Sequence, residues 1–376
     1  MAGDDAQADR ARWPDDVREV EGSVATITVL GAGRMGTALC VPLLDRGHDV
    51  RIVGTHLDTS WIEELRRSST HPGLGTALPR GATYATIDGL ADSLRGSDGV
   101  VLGVSSAGIR WAGRTLGELL APDTRLAMVT KGLEWADGRF ATMTEVFVSA
   151  LPAALGRSVA PVSISGPCLA GELARRVETC VVMSGPDAGQ VEWWAGLVAT
   201  PYYHVRVAAD ARGNQLATAL KNAYAIALGI VAGARGVEEQ TAPRDVAMQA
   251  TANFNAEAAT FAQSAVEIDR LVRLEGGETR SVMGLSGVGD LLVTCHGRNH
   301  RFGAWLGAGL PLAEVLRRME GVSLEGVEAV RELARALPAF ETAGRISRAE
   351  LPLARHLVDV LAGGSPGTIP FDRFEP

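Results

Sequence analysis

Short apolar runs alternate with amphipathic stretches along the first half of the chain. A β-rich apolar run (VATITVL) begins at Val24 and ends in glycines, and a helical stretch (TALCVPLLDRGH) and a second strand-like run (DVRIVGTH) follow it. This order of elements predicts a βαβ unit, in which the two strands are parallel and the crossover is right-handed.

The same alternation continues as far as Val207. Further strand-like runs lie at 99–104, 125–130, 161–165 and 179–184, and helical stretches lie at 109–120 and 140–151. A long alternation of strands and helices predicts a doubly wound α/β sheet.

Beyond Val207 the strand pattern ends and apolar residues recur with a helical period. The predicted helices lie at 214–233, 245–274, 312–319, 324–336 and 351–361. The sequence therefore predicts four parts, which are a leader over 1–23, an α/β domain over 24–208, a helical domain over 209–362 and an irregular tail over 363–376 that is rich in Gly and Pro.

Composition and charge indicate which broad classes of protein the chain can belong to. The chain has 376 residues and 39.4 kDa, 46% hydrophobic and 21% charged residues, as expected of a soluble protein with two domains. A net charge of −8 argues against a nucleic-acid partner, because no global basic field attracts phosphates. The leader has no apolar core, and the apolar runs are broken well short of a membrane span, so we expect a cytoplasmic protein without membrane insertion.

Four cysteines lie far apart in the chain, at positions 40, 168, 180 and 295. No pair has the spacing of metal ligands, and each lies among apolar or small residues. We therefore expect reduced, mostly buried thiols, no metal site and no catalytic thiol.

A G-x-G-x-x-G pattern joins the first predicted strand to the first helix. Gly31 permits a tight turn, Gly33 lets the backbone approach a pyrophosphate, and Gly36 allows close contact between helix and strand. The free N–H groups of the following helix also attract an anion. This context predicts a dinucleotide-binding site.

The second strand bears on the choice of dinucleotide. An NAD site usually has an acidic residue at the end of this strand to hold the ribose diol. Here the nearest acid, Asp58, comes late, and Arg51 lies within the strand. The pattern favours NADP, or use of both cofactors, over NAD.

The segment GLSGVGDLLVTCHGRNHRFG, at 284–303, combines glycines with polar residues that a core helix does not need. Gly287 and Gly289 precede a single carboxylate, Asp290, and an Arg298-Asn299 pair follows; the guanidinium offers a bidentate fork to a phosphate or carboxylate. Two interpretations remain open, an anion-docking loop and a glycine-rich loop before an amphipathic helix with a solvated arginine.

Three other segments place polar residues where local structure does not require them. Lys131 follows a strand at the carboxyl edge of the sheet, and Glu172 follows a Gly-Pro turn. Lys221 and Asn222 lie in the middle of a strongly apolar helix. A buried lysine with a lowered pKa suits acid–base chemistry, whereas a lysine at the rim of the helix would reach solvent. The helix alone favours neither alternative.

Taken together, these segments resemble the motif set of the soluble NAD(P)-dependent glycerol-3-phosphate dehydrogenases. The motifs occur in the family's order from Val24 to about Val327, and they are GAGRMGTAL, VTKGLE, ISGPCLAGELA, LKNAYAIALG, GLSGVGDLLVTC, GRNHRFG and VSLEGV. The resemblance implies an N-terminal Rossmann domain and an all-α C-terminal domain like that of 6-phosphogluconate dehydrogenase, with the site in the cleft between them. It also implies a homodimer.

The resemblance implies roles for individual residues. Lys221 would be the general acid–base group, Asp290 would set its state, and Lys131 would polarise the carbonyl. The implied substrate contacts are Lys131, Gly166, Lys221, Asn222, Asp290, Thr294, Arg298 and Asn299. The implied cofactor contacts are Gly31, Gly33, Arg34, Met35, Gly36, Lys131, Ala170, Arg298 and Glu325.

The implied reaction is hydride transfer between NAD(P)(H) and the C2 ketone of dihydroxyacetone phosphate, which gives sn-glycerol 3-phosphate. Some positions depart from the family pattern, namely 104–106, 169–172, Gly297 and the stretch 236–257. These departures leave other polyol or ketose phosphates, such as a tetritol phosphate, as an alternative substrate, and a β-hydroxyacid as another. A cofactor-binding sensor without turnover is the alternative from a different class.

Overall fold

The computed structural model describes residues 24–121, 123–234, 253–364 and 369–375. In chain order, strands β1 to β12 are Thr26–Leu30, Asp49–Val53, Thr70–His71, Thr76–Ala77, Ala82–Ala85, Gly99–Leu102, Arg125–Met128, Leu133–Ala136, Arg139–Thr142, Val162–Ser165, Thr179–Ser184 and Tyr203–Ala208. Helices α1 to α16 are Arg34–Asp45, Thr59–Ser68, Leu90–Leu94, Ile109–Gly117, Met143–Ala150, Ala153–Gly156, Ala170–Ala174, Ala188–Val198, Ala211–Gly233, Phe254–Leu274, Thr279–Met283, Asp290–Thr294, Arg298–Gly307, Leu312–Arg318, Glu325–Thr342 and Pro352–Leu361.

Eight strands form one sheet in the order β12-β11-β10-β7-β6-β1-β2-β5. Neighbouring strands are parallel except for β10 and β11, which are antiparallel. The sheet is doubly wound, as predicted, because the chain moves from β1 to β2 and β5 on one side and returns to β6 on the other. Such a reversal opens a crevice at the carboxyl ends of β1 and β6.

Both faces of the sheet are covered by helices. Leu39 of α1 and Trp194 of α8 are buried in a core on one face, and Ile109 of α4 and Phe147 of α5 are buried in a core on the other. Strands buried on both faces have continuous apolar sequences, and for this reason the central strands are visible in the sequence.

An antiparallel hairpin of β8 and β9 replaces the beginning of the helix predicted over 140–151. Asp137 and Gly138 both have positive φ angles, which reverse the chain between the two strands. Helix α5 begins only at Met143, because the side chain of Thr142 and that of Glu145 form a reciprocal capping box. The apolar residues before this cap therefore belong to a strand.

Helix α9 is the centre of the helical half of the molecule. It is buried along most of its length, and helices α10, α13 and α15 pack around it. Its length and hydropathy would allow it to cross a membrane, but 89% of the relevant window is buried inside the protein, as in a core helix. Of the helix predicted over 245–274, the described part begins at Phe254, and 245–252 lie outside the described residues.

Glycines bring helices α9 and α13 into close backbone contact. A Cβ on Gly229 would lie 2.0 Å from the carbonyl oxygen of His300, and a Cβ on Gly303 would lie 2.0 Å from that of Ile226. Gly233 and Gly307 make equivalent contacts one turn further along. No larger residue fits at these positions without moving the helices apart, so the glycines fix α13 against α9.

Candidate active site

The carboxyl edge of the sheet brings together residues from four strands. Gly31 follows β1, Gly103 follows β6, Lys131 follows β7 and Gly166 follows β10. Because these strands run parallel, their carboxyl ends lie on the same edge, where open α/β sheets bind ligands.

The glycine loop at 31–36 is shaped for a dinucleotide. Gly31 has a φ angle of 104°, and a Cβ there would lie 2.8 Å from the carbonyl carbon of Gly103. A Cβ on Gly36 would lie 3.0 Å from the carbonyl oxygen of Gly31, so β1, α1 and β6 approach closely. By contrast, a Cβ on Gly33 would project into space whose nearest atom is the Gly103 carbonyl oxygen at 3.5 Å. The open side of Gly33 therefore has room for a pyrophosphate.

Helix α1 begins directly beyond this loop. Its N-cap is Gly33, which has no side chain to accept a hydrogen bond from the first N–H groups of the helix. Arg34 and Met35 are the first two residues of α1. The exposed N–H groups and the helix dipole favour a negatively charged group at this position.

Two residues that bear on the choice of cofactor have partners within the protein. The guanidinium of Arg51 donates to the carbonyl oxygens of Ser93 and Arg95, each at 2.7 Å. Both hydrogen bonds use Nη1 of Arg51, so they leave the predicted preference for NADP or for both cofactors a prediction. Asp58, although late in the sequence, returns to the glycine loop, where its Oδ2 accepts from the backbone N–H of Ala32 at 3.2 Å.

The two amines predicted to act in catalysis meet one carboxylate. The ammonium of Lys221 lies 2.7 Å from Oδ1 of Asp290, and the ammonium of Lys131 lies 2.7 Å from Oδ2. Lys131 also donates to the carbonyl oxygen of Gly166 at 3.4 Å. A single carboxylate thus holds two cations, one from the sheet edge and one from α9, and the cluster carries a net positive charge.

Lys221 is buried and does not reach solvent at the rim of the helix. Only 4% of the residue is exposed, and its ammonium also donates to the hydroxyl of Thr294. Burial lowers the pKa of Lys221 to about 8, although Asp290 opposes this shift; Lys131 adds to it. Such a pKa lets the amine give and take a proton near neutral pH.

Lys131 and Lys221 are also the only two lysines in the sequence, and all other basic residues among the 36 Lys and Arg are arginines. An arginine cannot lose its proton under ordinary conditions, whereas a lysine in a buried site can. The restriction of lysine to these two positions is a sequence signal for the site that motif analysis misses.

The glycine-rich segment before Asp290 is a π-helical turn over Leu285–Gly289, and not an open loop. A Cβ on Gly287 would lie 2.1 Å from the carbonyl oxygen of Val282, so the turn closes tightly on the preceding helix. Both interpretations of this segment assumed a loop before Asp290, and the helical turn corrects that assumption alone. The docking of an anion at Arg298 and Asn299 stays a prediction. Asp290 follows as the first residue of α12 and is 1% exposed.

Helix α9 fixes this turn by two hydrogen bonds. The hydroxyl of Ser286 donates to the side chain of Asn214 at 2.6 Å, and the hydroxyl of Thr218 donates to the carbonyl oxygen of Ser286 at 2.9 Å. Thr218 also lies 3.4 Å from Oδ2 of Asp290. Sequence reasoning missed Thr218, which the helical period places one turn before Lys221 on the same face.

A second polar group links α9, α13 and α15. The amide nitrogen of Asn299 donates to Oδ1 of Asn222 at 3.1 Å, and Oδ1 of Asn299 accepts from the backbone N–H of Gly326 at 3.1 Å. Next to them, Nε of Arg298 lies 3.0 Å from a carboxylate oxygen of Glu325. The structure thus brings these four predicted side chains together, close to the Lys221 cluster through Asn222.

The remaining predicted residues occupy other parts of the crevice. Arg34 and Met35 lie at the glycine loop, and Ala170 is the first residue of α7, which packs against α1. Gly166 has a φ angle of 104° and touches Leu285 of the π-helical turn, where a Cβ would lie 3.5 Å from the leucine side chain. Ala170 thus lies on the side of α1, and Gly166 lies beside the turn that precedes Asp290.

Two cysteines lie close enough to the Lys221 cluster to interact with its charges. Burial raises the pKa of Cys168 to about 12 and that of Cys295 to about 11, so both remain thiols at neutral pH. All four cysteines are free. Within the described residues, no group of three or more His, Cys, Asp or Glu side chains could hold a metal ion.

Comparison with known proteins assigns both halves of the chain to one family. Models described as the N-terminus and the C-terminus of NAD-dependent glycerol-3-phosphate dehydrogenase match residues 26–190 and 210–368. An NADP(+)-dependent glycerol-3-phosphate dehydrogenase of Archaeoglobus fulgidus is 33% identical over 322 residues, which cover 85% of this chain and 90% of that protein. A glycerol-3-phosphate dehydrogenase of Desulfitobacterium hafniense, named for NAD(P)+, is 33% identical over 311 residues, which cover 82% of this chain and 81% of that protein.

A solved structure gives the same assignment. The crystal structure of glycerol-3-phosphate dehydrogenase from Coxiella burnetii has a TM-score of 0.73 and 26% identity to this chain, and the alignment covers 91% of this chain and 96% of that one.

Proposed function

The chain belongs to the NAD-dependent glycerol-3-phosphate dehydrogenase family, and from this membership we propose that it interconverts sn-glycerol 3-phosphate and dihydroxyacetone phosphate. The observation that carries the proposal is the cluster of Lys221, Asp290 and Lys131 at the carboxyl edge of the sheet, the same edge at which the glycine loop follows β1. A sensor protein that binds a dinucleotide without turnover has no need of a buried, titratable amine.

Lys221 carries the proton of the reaction. With a pKa of about 8 it is mainly an ammonium at neutral pH, and it donates its proton to the oxygen of the ketone as that oxygen becomes an alkoxide. In the reverse direction the neutral amine removes the proton from the secondary alcohol. Asp290 holds the amine in position, because its Oδ1 accepts from Lys221.

Lys131 supplies a second positive charge beside the reacting oxygen. Its ammonium is held by Asp290 and the carbonyl oxygen of Gly166, so it needs little reorganisation when charge develops. Fixed charges of this kind stabilise a transition state in which an oxyanion forms.

The substrate phosphate binds at Arg298 and Asn222. Arg298 is half-exposed; its Nε and Nη2 hold the carboxylate of Glu325, and the other edge of the guanidinium can contact a phosphate. Within the described part of the chain, the amide nitrogen of Asn222 donates one long hydrogen bond, to the carbonyl oxygen of Thr218 at 3.4 Å. The amide of Asn299 already contacts Asn222 and Gly326, so Asn299 orients Asn222 and has one N–H left for the ligand.

The cofactor is NAD or NADP, as in the names of the relatives. When bound, its nicotinamide supplies the hydride or accepts it. The glycine loop with Gly31, Gly33 and Gly36 would hold its pyrophosphate at the N-terminus of α1. The family resemblance implies that Ala170 and Glu325 add further contacts to the cofactor.

The alternative substrates can be compared with the names of the relatives. The relatives reported above are named for glycerol 3-phosphate, so another polyol phosphate finds no support in them.

For the other properties, we propose the division at 208–209 into an α/β domain and a helical domain, a homodimer, and a location in the cytoplasm. The four free cysteines suit a reducing compartment. Light scattering of the purified protein would test the dimer.

The first experiment is a turnover assay of the full chain with dihydroxyacetone phosphate and NADH or NADPH, in parallel with a tetrulose phosphate. We expect the first substrate to oxidise the cofactor with the higher kcat/KM. Lys221→Arg is the matched variant, since it keeps the positive charge but does not titrate. It should bind cofactor like the wild type and lose turnover. Cofactor binding without oxidation by the wild type would contradict the proposed activity and favour a sensor.

A further inference from the structure

The backbone of Ala32, between the first two glycines of the loop, is held from both sides by side chains. Its N–H donates to Oδ2 of Asp58 at 3.2 Å, and its carbonyl oxygen accepts from Nε2 of His71 at 2.8 Å. Ala32 is fully buried. The two partners come from the N-terminus of α2 and from strand β3, which are separate elements of the chain.

His71 can make both of its hydrogen bonds together only as a neutral ring. Nδ1 accepts from the backbone N–H of Gly73 at 3.0 Å, so the ring hydrogen of the neutral histidine lies on Nε2, which donates to Ala32. The residue is fully buried. A neutral Nε2–H tautomer thus joins the hairpin of β3 and β4 to the glycine loop.

The surroundings keep this ring in place. The ring of Trp61 meets His71 edge-on with centroids 4.8 Å apart. The stem of Arg34 covers the turn of the hairpin, because a Cβ on Gly73 would lie 3.1 Å from Cγ of Arg34. The hairpin therefore packs against both the glycine loop and the first residue of α1.

The carboxylate of Asp58 also contacts the backbone of Ala32. Asp58 is the N-cap residue of α2, yet its side chain makes no capping bond to that helix. Its Oδ2 accepts instead from the backbone N–H and the hydroxyl of Thr55, at 2.9 and 2.8 Å, and from Ala32. One oxygen thus ties the end of strand β2 to the glycine loop.

We infer that His71 and Asp58 are positioning residues for the cofactor, which fix the Ala32 backbone so that the loop meets the pyrophosphate already in its binding conformation. The inference rests on the proposed function, since it assumes that the loop binds NAD(P). A loop held in advance loses less freedom on binding, so removal of either bond weakens cofactor affinity. Neither residue is near the two lysines in the described contacts, so the proton transfer is unaffected.

Three variants test the inference in the full chain. His71→Phe keeps a ring and removes the donor, His71→Gln keeps a donor, and Asp58→Asn places an N–H group opposite that of Ala32. We expect the Kd and KM for NADH and NADPH to rise by about tenfold or more in His71→Phe and Asp58→Asn. kcat at saturating cofactor and KM for dihydroxyacetone phosphate should stay near the wild-type values, and His71→Gln should recover part of the affinity.

His48 offers a matched control. It is also buried, its Nδ1 accepts from the backbone N–H of Ala25, and its Nε2 contacts the carbonyl oxygen of Leu197, each at 3.2 Å. It lies away from the glycine loop, so His48→Phe should lower thermal stability as much as His71→Phe and leave cofactor affinity unchanged.

The outcomes separate the two proposals. If His71→Phe folds and binds cofactor like the wild type, or if His48→Phe weakens binding equally, the positioning role is wrong while the proposed enzyme stands. If His71→Phe does not fold, Asp58→Asn and His71→Gln decide in the same way. If the wild type itself binds neither NADH nor NADPH, the proposed function is wrong, and the positioning role that rests on it is wrong as well.

Discussion

The ammonium of Lys221 and the carboxylate of Asp290 form a buried ion pair, 2.7 Å long, between residues that are 4% and 1% exposed. Asp290 alone would keep the lysine charged, but Lys131 contacts the other oxygen of the same carboxylate at 2.7 Å. The amine is therefore held by one opposite charge and destabilised by burial and a neighbouring cation. This balance makes it titratable close to neutral pH.

The first prediction concerns the pH dependence of the reaction. Reduction of the ketone needs Lys221 as an ammonium, so kcat for reduction should fall as the pH rises through about 8; oxidation of the alcohol needs the neutral amine and should rise over the same range. Initial rates in both directions between pH 6 and 10 measure this. Since the chain has only two lysines, NMR of labelled lysine side chains can follow the titration directly. Parallel profiles for the two directions would refute the assignment.

Two substitutions should move this profile in opposite directions. Asp290 raises the pKa of Lys221 and Lys131 lowers it, so Asp290→Asn should shift the profile to lower pH and Lys131→Gln should shift it to higher pH. Both should reduce kcat, because each removes a group that contacts the cluster. Asp290→Asn should also destabilise the fold by about 3–5 kcal/mol, because it leaves a buried charge unpaired. Shifts in the same direction would show that the cluster does not set the pKa.

The sequence predicted the strands of the large sheet more accurately than the segments that connect them. The strand predicted over 179–184 has the observed bounds, since a strand buried on both faces has a continuous apolar sequence. The hairpin at 133–142 was missed, because two strands of four residues are too short to reveal their alternation and Phe140 resembles the start of the next helix. The antiparallel step between β10 and β11 has no local signal at all.

For the site, the sequence identified candidate residues and not their contacts. Lys131 and Asp290 are 159 positions apart, and only folding brings them together. The sequence left open whether Lys221 is buried, because an apolar helix around a lysine is compatible with either position. His71 gave no signal, because a histidine beside glycines in a short hairpin has no distinguishing pattern. Its role depends on the tertiary contact with Ala32.

A third prediction concerns stability away from the site. Glu267 is fully buried and accepts hydrogen bonds from Tyr224, from Gln263 and from the backbone N–H groups of Leu353 and Ala354 at the start of α16. Glu267→Ala leaves these donors unsatisfied and should destabilise the protein by about 2–4 kcal/mol. Urea denaturation measures this. The activity of the folded fraction should not change.

Glu328 provides the comparison for this variant. It is exposed, and among the residues that the structure describes it pairs only with Arg331, one turn along the same helix. Glu328→Ala should change stability by less than about 0.5 kcal/mol. Equal losses in the two variants would mean that the buried hydrogen bonds of Glu267 do not stabilise the fold.

The last prediction links the helix contact to the phosphate site. A Cβ on Gly303 would lie 2.0 Å from the carbonyl oxygen of Ile226, so Gly303→Ala must push α13 away from α9. Asn299 lies one turn earlier on α13 and would lose its contact with Asn222. We therefore expect a lower melting temperature and a KM for dihydroxyacetone phosphate that rises more than the KM for the cofactor. Gly189→Ala is the control, since its Cβ meets no atom closer than 3.4 Å and alanine favours the helix. If the two variants have the same KM values, the close helix contact does not position the substrate.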